Sequence, residues 1–193
     1  MASDRLRKHE VRLWSGTVAL RPLTEDDWGL VLGWWNDPDI AAHSDSNEGP
    51  YSLGQVQKIM RGISKHAFCF VIEFESRPVG ECWLQEMNLE RVLRRNPGLD
   101  CRRIDIEIEE AYWGRGIGTA AIRMLVEFGF ERKGADAIFA MDVADDNPRS
   151  RRAFEKAGFE LYETVSKPAG ARVNVRLDLV IWSKRHVGRL AAE

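Results

Sequence analysis

Residues 104–109 read Ile-Asp-Ile-Glu-Ile-Glu, apolar and acidic in strict alternation. A period of two marks a strand, here with one oily face and one acidic face. Shortly after it, Ile117, Ala121, Leu125 and Phe128 recur at helical spacing, so the chain passes from strand to helix through residues 114–119. The same two periods parse the remainder. Residues 11–20 read as a strand. Thr24 followed by Glu25, Asp26 and Asp27 supplies a cap and an acidic first turn to a helix that runs through Trp35 and ends at Asn36-Asp37-Pro38. Ser52 caps a second helix over residues 53–64. Residues 68–75 and 79–87 are strands joined at Ser76-Arg77-Pro78, and residues 91–101, rich in Arg, Asn, Pro and Gly, read as a loop. A short apolar strand over 137–143 precedes a helix that begins at Pro148 and ends before Gly158. Strands near 160–166 and 172–182 close the chain. This order gives an α/β domain with a mixed sheet and helices on its faces, not an alternating dinucleotide-binding repeat.

Length and charge narrow the function. The 193 residues suffice for one well-packed domain, taken as residues 11–186 between a flexible charged N-terminal tail (1–10) and a C-terminal tail (187–193). A net charge of −2 provides no basic field for a nucleic-acid backbone. No apolar run approaches the roughly 20 residues of a membrane span, and the charged start lacks the apolar core of a signal peptide. The three cysteines show no C-x-x-C spacing and read as free thiols in a reducing cytoplasm. The four histidines are scattered, without the pairing of a helical metal site, so no metal is expected.

The chemistry concentrates between residues 104 and 159. Gly114-Arg115-Gly116-Ile117-Gly118-Thr119 opens directly into a helix. Glycines admit close backbone approach, and the first helical N–H groups lack internal partners, which together with the helix dipole suits a pyrophosphate. The dinucleotide fingerprint is not matched, because positions 119 and 121 are Thr and Ala, and the Lys-Ser/Thr pair of a P-loop is missing. Farther on lies Asn147-Pro-Arg-Ser150-Arg-Arg-Ala-Phe154-Glu-Lys-Ala-Gly-Phe159.

Taken in order and separation, these two segments resemble the GNAT acyltransferase superfamily over nearly the whole chain. The resemblance implies a single-domain GNAT-like fold, a mixed, mostly antiparallel twisted sheet of about seven strands with about four helices on its faces. It implies acetyl-CoA as co-substrate, with the pantetheine arm pairing against the strand edge at Ile106 and Ile108. The pyrophosphate would lie on the turn formed by Gly114, Arg115, Gly116, Ile117, Gly118 and Thr119, with Asn147 and Arg151 also contacting the cofactor. Arg115 and Arg152 are further candidates for the phosphates. Transfer to an amine needs a group that takes its proton, for which Asp105 ranks first and Glu107 second.

Arg-Arg-Ile-Asp at 102–105 is similar to a segment of the aminoglycoside 6′-N-acetyltransferases. That likeness implies an acidic acceptor pocket of Asp105 and Asp142, with Trp34 or Trp35 as a wall, and a small polyamine as acceptor. Trp113 instead resembles the ribosomal-protein N-acetyltransferase branch, which keeps a protein N-terminus open as the alternative, and a non-catalytic acyl-CoA sensor is a third reading. Three departures stand out. Trp113 stands where many members of the superfamily carry Gln or Arg. Phe154 replaces the tyrosine that in the family protonates the leaving thiolate, and Arg91, Arg94, Arg95, Arg102 and Arg103 crowd the approach to the acceptor site. A homodimer through exposed strand edges is compatible with the pattern and not fixed by it.

Overall fold

The structure is a computed structural model that describes residues 5–41, 50–144, 147–168 and 175–184. The stretch read as one N-terminal strand is a hairpin, Leu13–Ser15 (β1) and Val18–Pro22 (β2), because Gly16 takes φ +61° and turns the chain within two residues. Ala67–Phe74 (β3), Arg77–Glu86 (β4), Cys101–Ile108 (β5), Ala137–Ala144 (β6), Glu160–Pro168 (β7) and Val175–Lys184 (β8) complete one sheet. Its order is β1-β2-β3-β4-β5-β6-β8-β7. Only β5 and β6 run parallel, so the mostly antiparallel mixed sheet is as expected, with eight strands because of the extra hairpin.

Helices cover both faces. Trp28–Trp35 (α1) and Leu53–Ser64 (α3) match the reading, and Ser52 closes the capping box with Gln55. α1 ends at Asn36 as read, and the chain turns helical again at Pro38. Asp37 Oδ1 accepts the N–H groups of Asp39 and Ile40 and starts the short helix Pro38–Ala41 (α2). The arginine-rich loop also contains a helix, Glu90–Arg95 (α4), held by burial of Val92 and an i,i+4 pair between Glu90 and Arg94. Ile117–Glu127 (α5) and Pro148–Lys156 (α6) follow the two chemical segments.

Ile117, Ala121, Ile122, Leu125 and Phe154 pack from α5 and α6 onto the oily face of β5 and its neighbours. Trp28, Val31 and Trp34 of α1 and Val56 and Met60 of α3 pack on the opposite face with Cys69, Val71 and Trp83. Residues 5–10 are not a loose tail. Leu6 is buried in this second cluster, the Arg7 N–H donates to Ser64 Oγ at 3.1 Å, and His9 Nε2 meets the Cys69 carbonyl at 2.9 Å. Among the described residues no helix is long and apolar enough to cross a membrane. The tail at 187–193 lies outside the described residues.

Candidate active site

β5 and β6 pair from Cys101↔Ala137 to Ile104↔Ala140 and no farther, although both strands continue. The sheet therefore splits into a V beyond Ile104. On the β4 side, the Glu109 N–H bonds the Val79 carbonyl at 2.9 Å. Alternation along the strand then directs the backbone groups of Ile104, Ile106 and Ile108 to the opposite edge. Ile104 meets β6. Ile106 and the Ile108 N–H lie past the split, while the Ile108 carbonyl accepts the Trp113 indole N–H at 2.6 Å. A cleft of about 730 Å³ occupies the V.

One wall of the cleft is the glycine turn. Gly114 and Gly116 take φ +75° and +81°, a region that a side chain disfavours. Gly116 stands at the N-cap of α5 without a side-chain cap, and the first internal bond runs from the Ala120 N–H to the Gly116 carbonyl. The N–H groups of Ile117, Gly118 and Thr119 therefore remain for an anion. The other wall is α6. Asn147 Oδ1 caps the helix by accepting the Ser150 N–H at 3.1 Å, which leaves its Nδ2 for a ligand. Arg149, Arg152, Ala153 and Lys156, one face of α6, line the cleft. Arg151 is off that face and pairs with Glu155 at 2.7 Å, and Arg115 lies over the Tyr112 ring. These two arginines do not line the cleft, and the cationic rim is Arg149, Arg152 and Lys156 instead.

At the inner end the cleft meets the acidic face of β5. Asp105 and Glu107 both line it. Asp105 receives the forked guanidinium of Arg103 at 3.0 and 2.9 Å. Glu107 is half-buried with its Oε2 fully covered, and burial, followed by the charge of Asp105, pushes its pKa up to about 7. Glu81 stands opposite Glu107 across β4 and β5, wholly buried. Burial and then the neighbouring Glu107 drive its pKa well above the carboxylate range, against a hydrogen bond from the Trp35 indole. Trp35 is therefore not a wall of the cleft; its N–H is spent on Glu81, as that of Trp34 is on Glu109 at 2.7 Å.

Among the described residues, three buried side-chain polar atoms have no hydrogen-bond partner: Glu81 Oε2, Glu107 Oε2 and Trp83 Nε1. Trp83 pairs with Asp105 just as Glu81 pairs with Glu107, so all three fall on one patch of β4 and β5. Unpartnered buried groups in a cluster call for a physical explanation, whether an ordered water, an ion or a catalytic role. Glu81 and Trp83 escape sequence reading because Val-Gly-Glu-Cys-Trp-Leu looks like any strand until its register with β5 is known. The Asp142 side chain lies outside the described residues.

These features converge with comparison to known proteins. Residues 17–160 match the acetyltransferase (GNAT) domain family. The chain is a GNAT acetyltransferase. It is 28% identical over 172 residues to the aminoglycoside N(6′)-acetyltransferase type 1 of Klebsiella pneumoniae, over 81% of each chain. AAC(6′)-Ib in complex with ribostamycin and coenzyme A superposes with a TM-score of 0.72 at 25% identity, covering 91% of this chain and 99% of that one. Spermidine N-acetyltransferase from Vibrio cholerae, in complex with CoA and spermine, shares the fold at a TM-score of 0.72 and 18% identity, covering 88% and 96%.

The GNAT chain is an acetyl-CoA-dependent N-acetyltransferase, and its cleft fits that co-substrate. The free edge at Ile106 and Ile108 can accept an amide-bearing arm as an added strand. The first amides of α5 have no helical partner, and the turn before them is uncrowded, since a Cβ on Gly114 or Gly116 would meet nothing within 4 Å. The arginines that crowd the acceptor side are neutralised: Arg91 and Arg95 reach Glu163, Arg94 reaches Glu90, Arg102 reaches Asp100 and Arg103 reaches Asp105.

Proposed function

We propose that the acetyltransferase modifies a primary amine of an aminoglycoside-type polyamine, with Glu107 as the group that takes the amine proton. The observation that carries this reading is one cleft lined both by Glu107 and Asp105 and by the glycine turn. Bound acetyl-CoA supplies an activated acetyl thioester. The amides of Ile117, Gly118 and Thr119 hold its pyrophosphate, the backbone of Ile106 orients the pantetheine arm, and Asn147 Nδ2 contacts it.

An amine arrives as an ammonium and must lose a proton before it attacks. A carboxylate with a proton affinity near neutrality is matched to that step, because it is ionised often enough to accept the proton and basic enough to hold it. Glu107 meets the condition through burial. Asp105, clamped by Arg103, is better suited to fixing the acceptor than to carrying a proton. This reverses the order the sequence suggests. Phe154 is buried against Phe159 and bears no hydroxyl, so the hydroxyl groups that line the cleft, those of Tyr112, Thr119 and Ser150, are the candidates for proton donor to the thiolate. The relatives named for aminoglycosides support the acceptor class. Three buried free thiols, Cys69, Cys82 and Cys101, support a cytoplasmic location.

The test is thiol release from acetyl-CoA against kanamycin-type aminoglycosides, linear polyamines and peptides with free N-termini. Turnover on aminoglycosides that is lost in Glu107→Gln supports the proposal. Turnover on peptides alone moves the enzyme to the protein-acetylating branch, and tight acetyl-CoA binding without turnover makes it a sensor.

A further inference from the structure

Trp113 and Arg149 belong to opposite walls of the cleft. Trp113 precedes the glycine turn, Arg149 lies in the first turn of α6, and both side chains line the space between. They nevertheless touch: the Arg149 guanidinium carbon lies 3.2 Å from the centroid of the Trp113 ring. The ring is the fixed member, tethered by its indole N–H to the Ile108 carbonyl. Among the described residues no carboxylate reaches ion-pair distance of Arg149, and Arg152 and Lys156 continue its face of the helix along the same cleft.

We propose that Arg149 and Trp113 form a latch across the mouth of the cofactor cleft, and that Arg149 leaves the indole for a phosphate of acetyl-CoA when the cofactor binds. A cation over an aromatic face is held by a ring quadrupole. A phosphate offers the same guanidinium a full opposite charge and two parallel N–H···O bonds, which is the stronger arrangement. Exchange is therefore downhill once a phosphate arrives on the adjoining amides of α5. Burial of the guanidinium disfavours its charge, with Glu110 partly offsetting this, so the free enzyme holds a partly desolvated cation that an anion relieves. Without cofactor the stack ties α6 to the turn after β5 and narrows the V that β5 and β6 leave open. Trp113, a departure from the residue common at this place in the family, thereby acquires a role in cofactor entry.

The proposal rests on acetyl-CoA occupying the cleft, and the test separates the two ideas. Binding of acetyl-CoA and of S-acetylpantetheine, which lacks the phosphates, is measured by calorimetry for the wild type, Arg149→Met, Arg149→Lys and Trp113→Phe. Tryptophan emission is followed in parallel, and Trp113→Phe serves as the baseline for the other indoles. Arg149→Met is expected to weaken acetyl-CoA binding roughly tenfold and to leave S-acetylpantetheine unchanged. Trp113→Phe binds acetyl-CoA at least as tightly as the wild type, with faster association. The Trp113 contribution to emission changes on acetyl-CoA binding and is already changed in cofactor-free Arg149→Met. Arg149→Lys keeps the charge without the flat stack and retains most of the affinity. Equal losses for both ligands in Arg149→Met, no loss for either, or an emission that ignores acetyl-CoA overturns the latch. A wild type that binds no acetyl-CoA overturns the cofactor assignment instead.

Discussion

The Arg103 guanidinium forks onto the Asp105 carboxylate two positions along β5, at 3.0 and 2.9 Å. That contact separates the roles of two acids that look equivalent in an alternating strand. Asp105 is engaged on both oxygens, whereas Glu107 Oε2 is covered and has no partner among the described residues. Glu107→Gln is therefore expected to lower kcat/KM for the amine by about 10²- to 10³-fold, the usual worth of a general base. Asp105→Asn weakens the Arg103 clamp and removes a negative charge beside the acceptor, and is expected to act mainly on the KM of a cationic amine. Initial rates with the amine varied at saturating acetyl-CoA distinguish the two, and an equal loss of kcat in Asp105→Asn would return that residue to first place.

The same burial makes two pH dependences run in opposite senses. Glu107 accepts a proton only when ionised, so kcat/KM should rise with pH through an ionisation near about 7. For stability the sign is the reverse. The folded pKa is raised above the ordinary 4.5, so the contribution is fully present below the unfolded value and is lost as pH rises through the folded one. Wild type should lose melting temperature relative to Glu107→Gln between about pH 5 and about pH 8. Parallel melting curves that keep a constant separation over this range would argue that Glu107 titrates as an ordinary carboxyl.

Trp35 supports the buried acid rather than the ligand. Its indole N–H is the hydrogen bond that opposes the rise in the Glu81 pKa. Trp35→Phe removes the donor and leaves a buried carboxyl without one, which is expected to cost about 1–2 kcal/mol in urea unfolding. In a Glu81→Leu background the same substitution should cost clearly less, because no carboxyl remains to be satisfied. Equal costs in both backgrounds would reduce the role of Trp35 to packing.

What could be read from the chain and what could not follows the range of the interactions concerned. α3 is legible to its ends because Ser52, Gln55 and the apolar period are all local. The oily and acidic faces of β5 are legible because alternation is local as well. α2 and α4 are missed, since each is a single short turn whose stability comes from Asp37 Oδ1 or from the pocket that buries Val92. Which arginines of α6 line the cleft is not legible either: Arg152 is on its inner face and Arg151 is not, a distinction of one helical position. Glu81 is out of reach altogether, because its meaning arises only when β4 takes its register against β5.

Gly116 offers the most direct check on the cofactor wall. With φ at +81° at the start of α5, it faces open space. Gly116→Asp places a carboxylate where the amides of the first turn await an anion and also strains the backbone by about 1–2 kcal/mol. Acetyl-CoA binding should be abolished, while Gly116→Ala carries the strain without the charge and should retain measurable binding. Comparable affinity in the two variants would mean that the turn does not hold the phosphates.

Gly80 tests the coupling between the two strands that build the site. A Cβ there would lie 2.1 Å from the Glu107 carbonyl oxygen and 2.9 Å from the Ile108 Cα, both backbone atoms that cannot rotate away. Gly80→Ala must therefore push β5 off β4, at a cost of about 1–3 kcal/mol. The displacement acts on Glu107 and on the Ile106 and Ile108 edge together, so the variant should lose turnover and acetyl-CoA affinity at once, unlike Glu107→Gln, which should lose turnover alone. Gly62→Ala, in α3 and away from the cleft, is the control, since a Cβ there would meet nothing within 4 Å. If a folded Gly80→Ala enzyme kept both turnover and affinity, the close approach of β4 to β5 would not be what sets the position of Glu107.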